Sequence, residues 1–192
     1  MKNVLFPKLT AVFVVLFFFV MSCKTDTKNV VTNPLFTIAP TEYAGIAEKA
    51  LIHFGDFEYD AWADMLSDNV EYDFPDGDEN TRTKLIGKPA VIVWWKNWQK
   101  TSGAESMTMS GFNHFPLEVT GEANGGAAKG MYVFSYFSNK IVYKGKPIGI
   151  RMNFITHFNN DKKIDRYITY YDRNILIKTT GKDVLEKKEG NQ

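Results

Sequence analysis

The polar side chains best placed to move protons in this chain are Asp172 and His114. Asp172 closes the alternating run Ile168, Tyr170, Asp172 and so shares one strand face with those two residues. If that face turns inward, the carboxylate enters an aromatic pocket, where desolvation raises its pKa toward that of a general acid or base. Otherwise it is a strand-end group paired with Arg173 or Arg166. His114 lies in Phe112-Asn113-His114-Phe115-Pro116, at a break between strands where a bulge would aim the imidazole at the pocket mouth. Asp73 and Glu71 alternate with Val70, Tyr72 and Phe74, the pattern of a solvated edge-strand face. His53 sits beside core positions of a helix, and His157 points away from any pocket that Thr156 faces. Three scattered histidines and a single cysteine make no metal site, so metal and cofactor are both expected to be absent.

The walls of such a pocket must come from aromatic residues. Trp62, Trp94, Trp95 and Trp98 fall in helical stretches, and Tyr132, Phe134, Tyr136, Phe154 and Tyr170 fall in alternating ones. Each such ring buries about 150–250 Å² and offers a stacking face. Together they exceed what a core of this size requires. Trp62, Trp94, Trp98, Tyr132, Phe134, Phe154 and Tyr170, with Thr156, are therefore expected to line a pocket for a flat or greasy molecule. Any one of them serves equally well in a plain core or a dimer face. The chain has no Gly-x-Gly-x-x-Gly, no Gly-Lys-Ser/Thr phosphate loop, no Gly-x-Ser-x-Gly elbow and no His-Glu-x-x-His. With 23 Lys+Arg against 22 Asp+Glu, its net charge of +1 lacks the basic footprint of a nucleic-acid binder.

The 192 residues, 44% hydrophobic and 23% charged, suit one folded domain behind a leader. Residues 1–22 carry Lys2 and Lys8, no acid, and an apolar block from Leu9 to Val20 that is too short to span a bilayer. The ending Val20-Met21-Ser22-Cys23 resembles the lipobox of bacterial lipoproteins. That resemblance implies a diacylglycerol on Cys23 and anchoring at the periplasmic or cell-surface side of a bacterial membrane. An ordinary signal peptide cut near Ser22 is the alternative. Removing Lys2 and Lys8 with the leader takes the net charge from +1 to −1, so polybasic docking to lipid has no support. Residues 23–40 read as a tether with a reach of roughly 25 Å, unless Leu35, Phe36 and Ile38 pack on the domain as an arm.

Thr41 is a helix N-cap, followed by Tyr43, Ile46, Ala47, Ala50, Leu51 and Phe54 at helical spacing. Gly55-Asp56 stops that helix, and Tyr59, Trp62, Ala63 and Leu66 share a face of a second. A short strand holds Val70, Tyr72 and Phe74, residues 76–84 read as an exposed loop, and Pro89 opens a third helix. Beyond Ser102 the pattern alternates, with strands at about 105–112, 115–121, 129–139, 146–159 and 163–172, which should pair antiparallel. Helices followed by a long curved antiparallel sheet give an α+β cone over residues 41–178, and 179–192 form a charged tail.

The order helix, Gly55-Asp56, helix, Ser67-Asp68-Asn69-Val70-Glu71-Tyr72-Asp73-Phe74-Pro75-Asp76-Gly77, Gly87, helix, closing on Tyr170-Tyr171-Asp172, resembles the nuclear transport factor 2-like superfamily, especially its SnoaL-like and ketosteroid-isomerase-like branches. The resemblance implies a cone that holds a small apolar ligand, with catalysis in some members and pure binding in others. In ketosteroid isomerases a carboxylate base precedes the proline after the first strand. Phe74 stands there, with Asp73 one residue earlier. The Ile-Asp-His-Phe stretch reads Ile155-Thr156-His157-Phe158, and the helix tyrosine falls near Glu48, so that three-part site is missing. Asp172 resembles the closing Asp of limonene-epoxide hydrolases, but the middle strand from Tyr132 to Tyr136 lacks their Arg and Asp. The expected function is a membrane-anchored lipoprotein that binds a small apolar or amphipathic molecule. A cofactor-independent cyclase, isomerase or dehydratase using Asp172 and His114 is the alternative, and a dimerising scaffold, a homodimer through its outer sheet face, is the third.

Overall fold

A computed structural model describes residues 35–77, 81–121, 127–183 and 185. The expected leader, Cys23, most of the expected tether and most of the expected charged tail lie outside the described residues. Among those described, no helix is long and apolar enough to cross a membrane, and no three His, Cys, Asp or Glu side chains gather as metal ligands.

The chain runs β1 (Phe36–Ile38), α1 (Glu42–Gly55), α2 (Tyr59–Met65), β2 (Leu66–Asp73), β3 (Lys84–Ile86), α3 (Lys88–Ser102), β4 (Ala104–Val119), β5 (Gly130–Tyr143), β6 (Lys146–Phe158), β7 (Ile164–Tyr171) and α4 (Arg173–Thr180). Among the described residues, four helices pack on a curved, unclosed, seven-stranded mixed sheet in the order β1-β4-β5-β6-β7-β2-β3. This α+β architecture is the one the pattern predicts.

Helix α1 forms because Tyr43, Ala47, Ala50, Leu51 and Phe54 recur on one face, which is buried. Thr41 stands at its N-cap, but its hydroxyl caps nothing. The helix ends at Gly55, where Phe57 adopts a left-handed conformation that turns the chain straight into α2. Helix α3 begins after Gly87, has Pro89 in its first turn and stops on left-handed Gly103. Its buried face carries Val91, Trp95 and Trp98.

The sheet departs from the sequence reading in four places. The two strands expected around 105–121 are one strand, β4, with a bulge between Ser110 and Asn113. Gly111 takes a positive φ there, so the strand bends without breaking. The expected loop at 76–84 ends in β3, which pairs antiparallel with β2. Strand β2 joins β7 in parallel, because a chain that leaves through helices can return in either direction. Finally, the stretch after Asp172, to which the pattern assigns no element up to Lys178, is helical as α4. The expected N-terminal arm is present as β1 on the edge of β4, although Phe36 and Ile38 remain exposed.

Strand pairing fixes which side chains face the helices. In β5, Val133, Ser135, Phe137, Asn139 and Ile141 are buried on the inner face. In β6 the inner positions are Ile150, Met152, Phe154, Thr156 and Phe158, and in β7 they include Tyr167 and Thr169. The core that results is largely aromatic. Phe54 stacks on Trp62 at 4.7 Å and meets Trp95 edge-on at 4.6 Å, and Tyr72 lies against Phe74, Trp95, Phe154 and Tyr167.

Candidate functional site

Between α3 and the concave face of the sheet lies a small cavity of about 30 Å³, present as narrow clefts between rings. Helix α3 supplies Trp94, Trp95 and Trp98, which its 3.6-residue pitch brings to one side. Phe54 of α1 closes one end. The sheet contributes Met107, Ile141, Met152 and Phe154 from three adjacent strands, together with Asn139 of β5. Tyr171, at the end of β7, and Leu176 of α4 complete the wall.

No carboxylate, imidazole, ammonium or guanidinium lines this cavity. Its one titratable side chain is Tyr171, whose phenol burial pushes upward, against the opposing charge of Arg173. The lining is therefore neutral at ordinary pH. Besides the Tyr171 hydroxyl, two polar atoms of the wall are uncommitted. Asn139 Oδ1 and Trp95 Nε1 are buried and have no hydrogen-bond partner among the described residues. The Asn139 amide points its Nδ2 at the sulfurs of Met107 and Met152, at 3.7 and 3.8 Å.

Of the sequence-predicted pocket residues, Trp94, Trp98 and Phe154 line the cavity. Thr156 faces inward as expected, but further along β6 and outside the cavity wall, with its hydroxyl buried and unpartnered among the described residues. Trp62 is in the packed core behind the cavity, its Nε1 donating to Tyr167 OH at 3.2 Å. Tyr132, Phe134 and Tyr170 are corrections, because all three lie on the outer face. Val133, Ser135, Tyr167 and Thr169 take the inner positions, and a shift of one residue exchanges the faces. Tyr132 rests on the His157 ring at 4.5 Å and donates its hydroxyl to Ala128 O. Phe134 pairs with Phe115 and Ile155. Tyr170 is 48% exposed under the Arg82 guanidinium.

The same parity removes Asp172 from the cavity. It is exposed at the start of α4, where its Oδ1 accepts the Asn174 backbone N–H at 2.9 Å. This is an N-cap, the bond that ends β7 and starts a helix. Asp73 is also misplaced by the sequence reading, since it is buried rather than solvated. Strand β3 covers its flank, and its Oδ2 accepts from Arg166 Nε and Nη2 at 3.0 and 2.7 Å.

His114 does turn inward, carried by the bulge at Gly111, but toward α1. Its Nδ1 lies 2.8 Å from Ser135 Oγ, and its Nε2 lies 3.1 Å from Glu48 Oε2. A neutral ring satisfies both by donating from Nε2 to the carboxylate and accepting the serine hydroxyl at Nδ1. Sequence reasoning missed Glu48 and Ser135 as partners, and it missed Asn139 altogether. The inner parity of 133, 135, 137, 139 and 141 is the signal that finds the last.

No protein-family model matches the chain, and no curated protein matches it. Solved structures do. A protein assigned as a polyketide cyclase from Xanthomonas campestris pv. campestris is 15% identical, with a TM-score of 0.56 over 73% of this chain and 97% of its own. A protein assigned as an isomerase from Bacillus subtilis is 16% identical, with a TM-score of 0.54 over 76% and 96%. A nuclear transport factor 2-like protein from Anabaena variabilis ATCC 29413 is 17% identical, with a TM-score of 0.51 over 71% and 93%. At these identities the likeness establishes the fold, which is nuclear transport factor 2-like.

Proposed function

We propose that this domain holds a small apolar or amphipathic molecule in the cavity between α3 and the sheet, and that a lipid on Cys23 anchors it to a bacterial membrane. The observation that carries the first part is the lining. Six aromatic rings, two thioethers and two aliphatic side chains surround a space in which no side chain titrates near neutral pH. Such a wall recognises by area and shape, and it supplies no acid or base. Because the free space is divided among ring clefts, binding must move a ring. Trp94, the partly exposed one of the three cavity tryptophans, is the ring placed to swing.

Titrating the full-length protein in detergent with naphthalene should quench tryptophan fluorescence to a one-to-one end point. Leu176→Trp, which fills the cavity from its partly exposed α4 side, should weaken that binding about tenfold or more while leaving the melting temperature nearly unchanged. Absence of quenching by any apolar probe, with native mass spectrometry showing no bound small molecule, would sink the reading. The anchor has its own test: Cys23→Ser should move the protein from the membrane to the soluble fraction. Failure of labelled fatty acid to attach to the parent chain would remove the lipid.

A second reading, a cofactor-independent cyclase or isomerase, draws support from His114. Held between Glu48 and Ser135 on the inner face, it has the partners a general base uses. The solved structures assigned as a polyketide cyclase and an isomerase share this fold. Against it stands the separation of His114 from the cavity lining.

A further inference from the structure

Asn139 sits on the inner face of β5 between Phe137 and Ile141, where an aliphatic residue would fit the pattern. It is 2% exposed. Both sulfurs it faces are acceptors and cannot donate, so the amide orientation is fixed, with Nδ2 toward Met107 and Met152 and Oδ1 left over. That oxygen has no donor among the described residues. A buried amide satisfied only by two weak sulfur contacts destabilises the empty protein relative to a leucine of similar volume. A local rule broken with no structural return marks a place where function is served. Trp95 Nε1, in the same cavity wall, is a second buried group without a partner, and it is a donor.

From these two atoms we infer that the cavity selects an uncharged molecule bearing a hydroxyl, which donates to Asn139 Oδ1. This rests on the reading of the cavity as a ligand site. A hydroxyl both donates and accepts, so it is the small neutral group suited to a wall whose buried orphaned atoms are one acceptor and one donor, beside a Tyr171 hydroxyl that can serve as either. A carboxylate has no cation in the lining to replace its water, and it repels Asn139 Oδ1. An ammonium could use the ring faces and Asn139 Oδ1, but it leaves the Trp95 N–H unserved. A hydrocarbon fills the space and leaves both atoms orphaned. The selectivity is therefore set against both charged and wholly apolar analogues of the same shape.

The test uses four probes on one ring system with the full-length protein: naphthalene, 1-naphthol, 1-naphthoate and 1-naphthylmethylammonium, measured by calorimetry at neutral pH. 1-Naphthol is expected to bind tightest, about tenfold or more above naphthalene. In Asn139→Leu and Asn139→Met that preference should vanish, the affinities for 1-naphthol and naphthalene falling within about twofold of each other, and the melting temperature should rise. Equal affinity of the parent for 1-naphthol and naphthalene would overturn the inference while leaving the cavity a ligand site. So would tightest binding of either charged probe, or a 1-naphthol preference that survives in both variants. A melting temperature that falls in both variants would make the amide a structural fixture and also overturn it. If none of the four binds, the ligand-site reading itself fails and this inference goes with it.

Discussion

Trp62→Ala is expected to remove about 4 kcal/mol of stability, a large share of the roughly 5–15 kcal/mol typical of a domain. Trp62 is 1% exposed. It is a main anchor of α2, a helix of 7 residues that is too short to persist by itself and must be held by what it buries. The indole stacks on Phe54 at 4.7 Å, tilts against Tyr167 at 6.1 Å and leans on Tyr59 at 6.5 Å. Its loss therefore opens a void among three other rings and strips Tyr167 OH of its donor. Urea denaturation should show a lower midpoint at an unchanged slope. Trp62→Phe, which keeps a ring and loses only the N–H and some area, should cost about 1–2 kcal/mol. If the alanine variant is no worse than the phenylalanine one, the interleaving of α2 with the inner sheet face is wrong.

The packing around Trp62 was legible because helical spacing has a distinct period. The apolar positions of α1 and α3, and the turns at Gly87, Gly103 and Lys144-Gly145, can be read directly from residue types. Parity in the sheet was harder, for a physical reason. Tyr132, Val133 and Phe134 are consecutive apolar residues, so the two-residue period there assigns no face. The inner face then carries small polar residues, Ser135, Asn139, Thr156 and Thr169, while large rings such as Tyr136 and Tyr170 point out. A reader who counts aromatic rings chooses the wrong side. The expected strand at about 129–139 also stops at the residue the cavity uses, whereas β5 runs on to Tyr143. Parallel pairing of β2 with β7 depends on contacts some 95 positions apart and has no local signature. Only the Asp172 cap was within reach. Asp172 followed two residues later by Asn174 and then by Ile175 and Leu176 is a helix start, hidden because the carboxylate suited a catalytic role.

Alkaline pH should unfold this protein in one cooperative step between about pH 11 and 12, before its buried tyrosines ionise in the folded state. Burial raises the phenols of Tyr59, Tyr143 and Tyr167 far above their ordinary value, only slightly offset at Tyr167 by the bond from Trp62. Tyr72 is raised by burial and then by the neighbouring Tyr171 and Tyr167 phenols. A folded pKa above the unfolded one means that these groups give their full stabilisation below about pH 10 and lose it as the pH climbs toward the folded value. Each contributes a loss of about 1.4 kcal/mol per pH unit beyond 10, so four together approach about 5–6 kcal/mol by pH 11. That is comparable with the whole stability of a modest domain. Phenolate absorbance and far-ultraviolet circular dichroism should therefore change together, and Tyr143→Phe should move the midpoint upward by removing one of the ionising groups. Smooth ionisation of all 9 tyrosines near pH 10 with the dichroism intact would show that these rings are solvated, and that the aromatic packing behind the cavity does not exist as described.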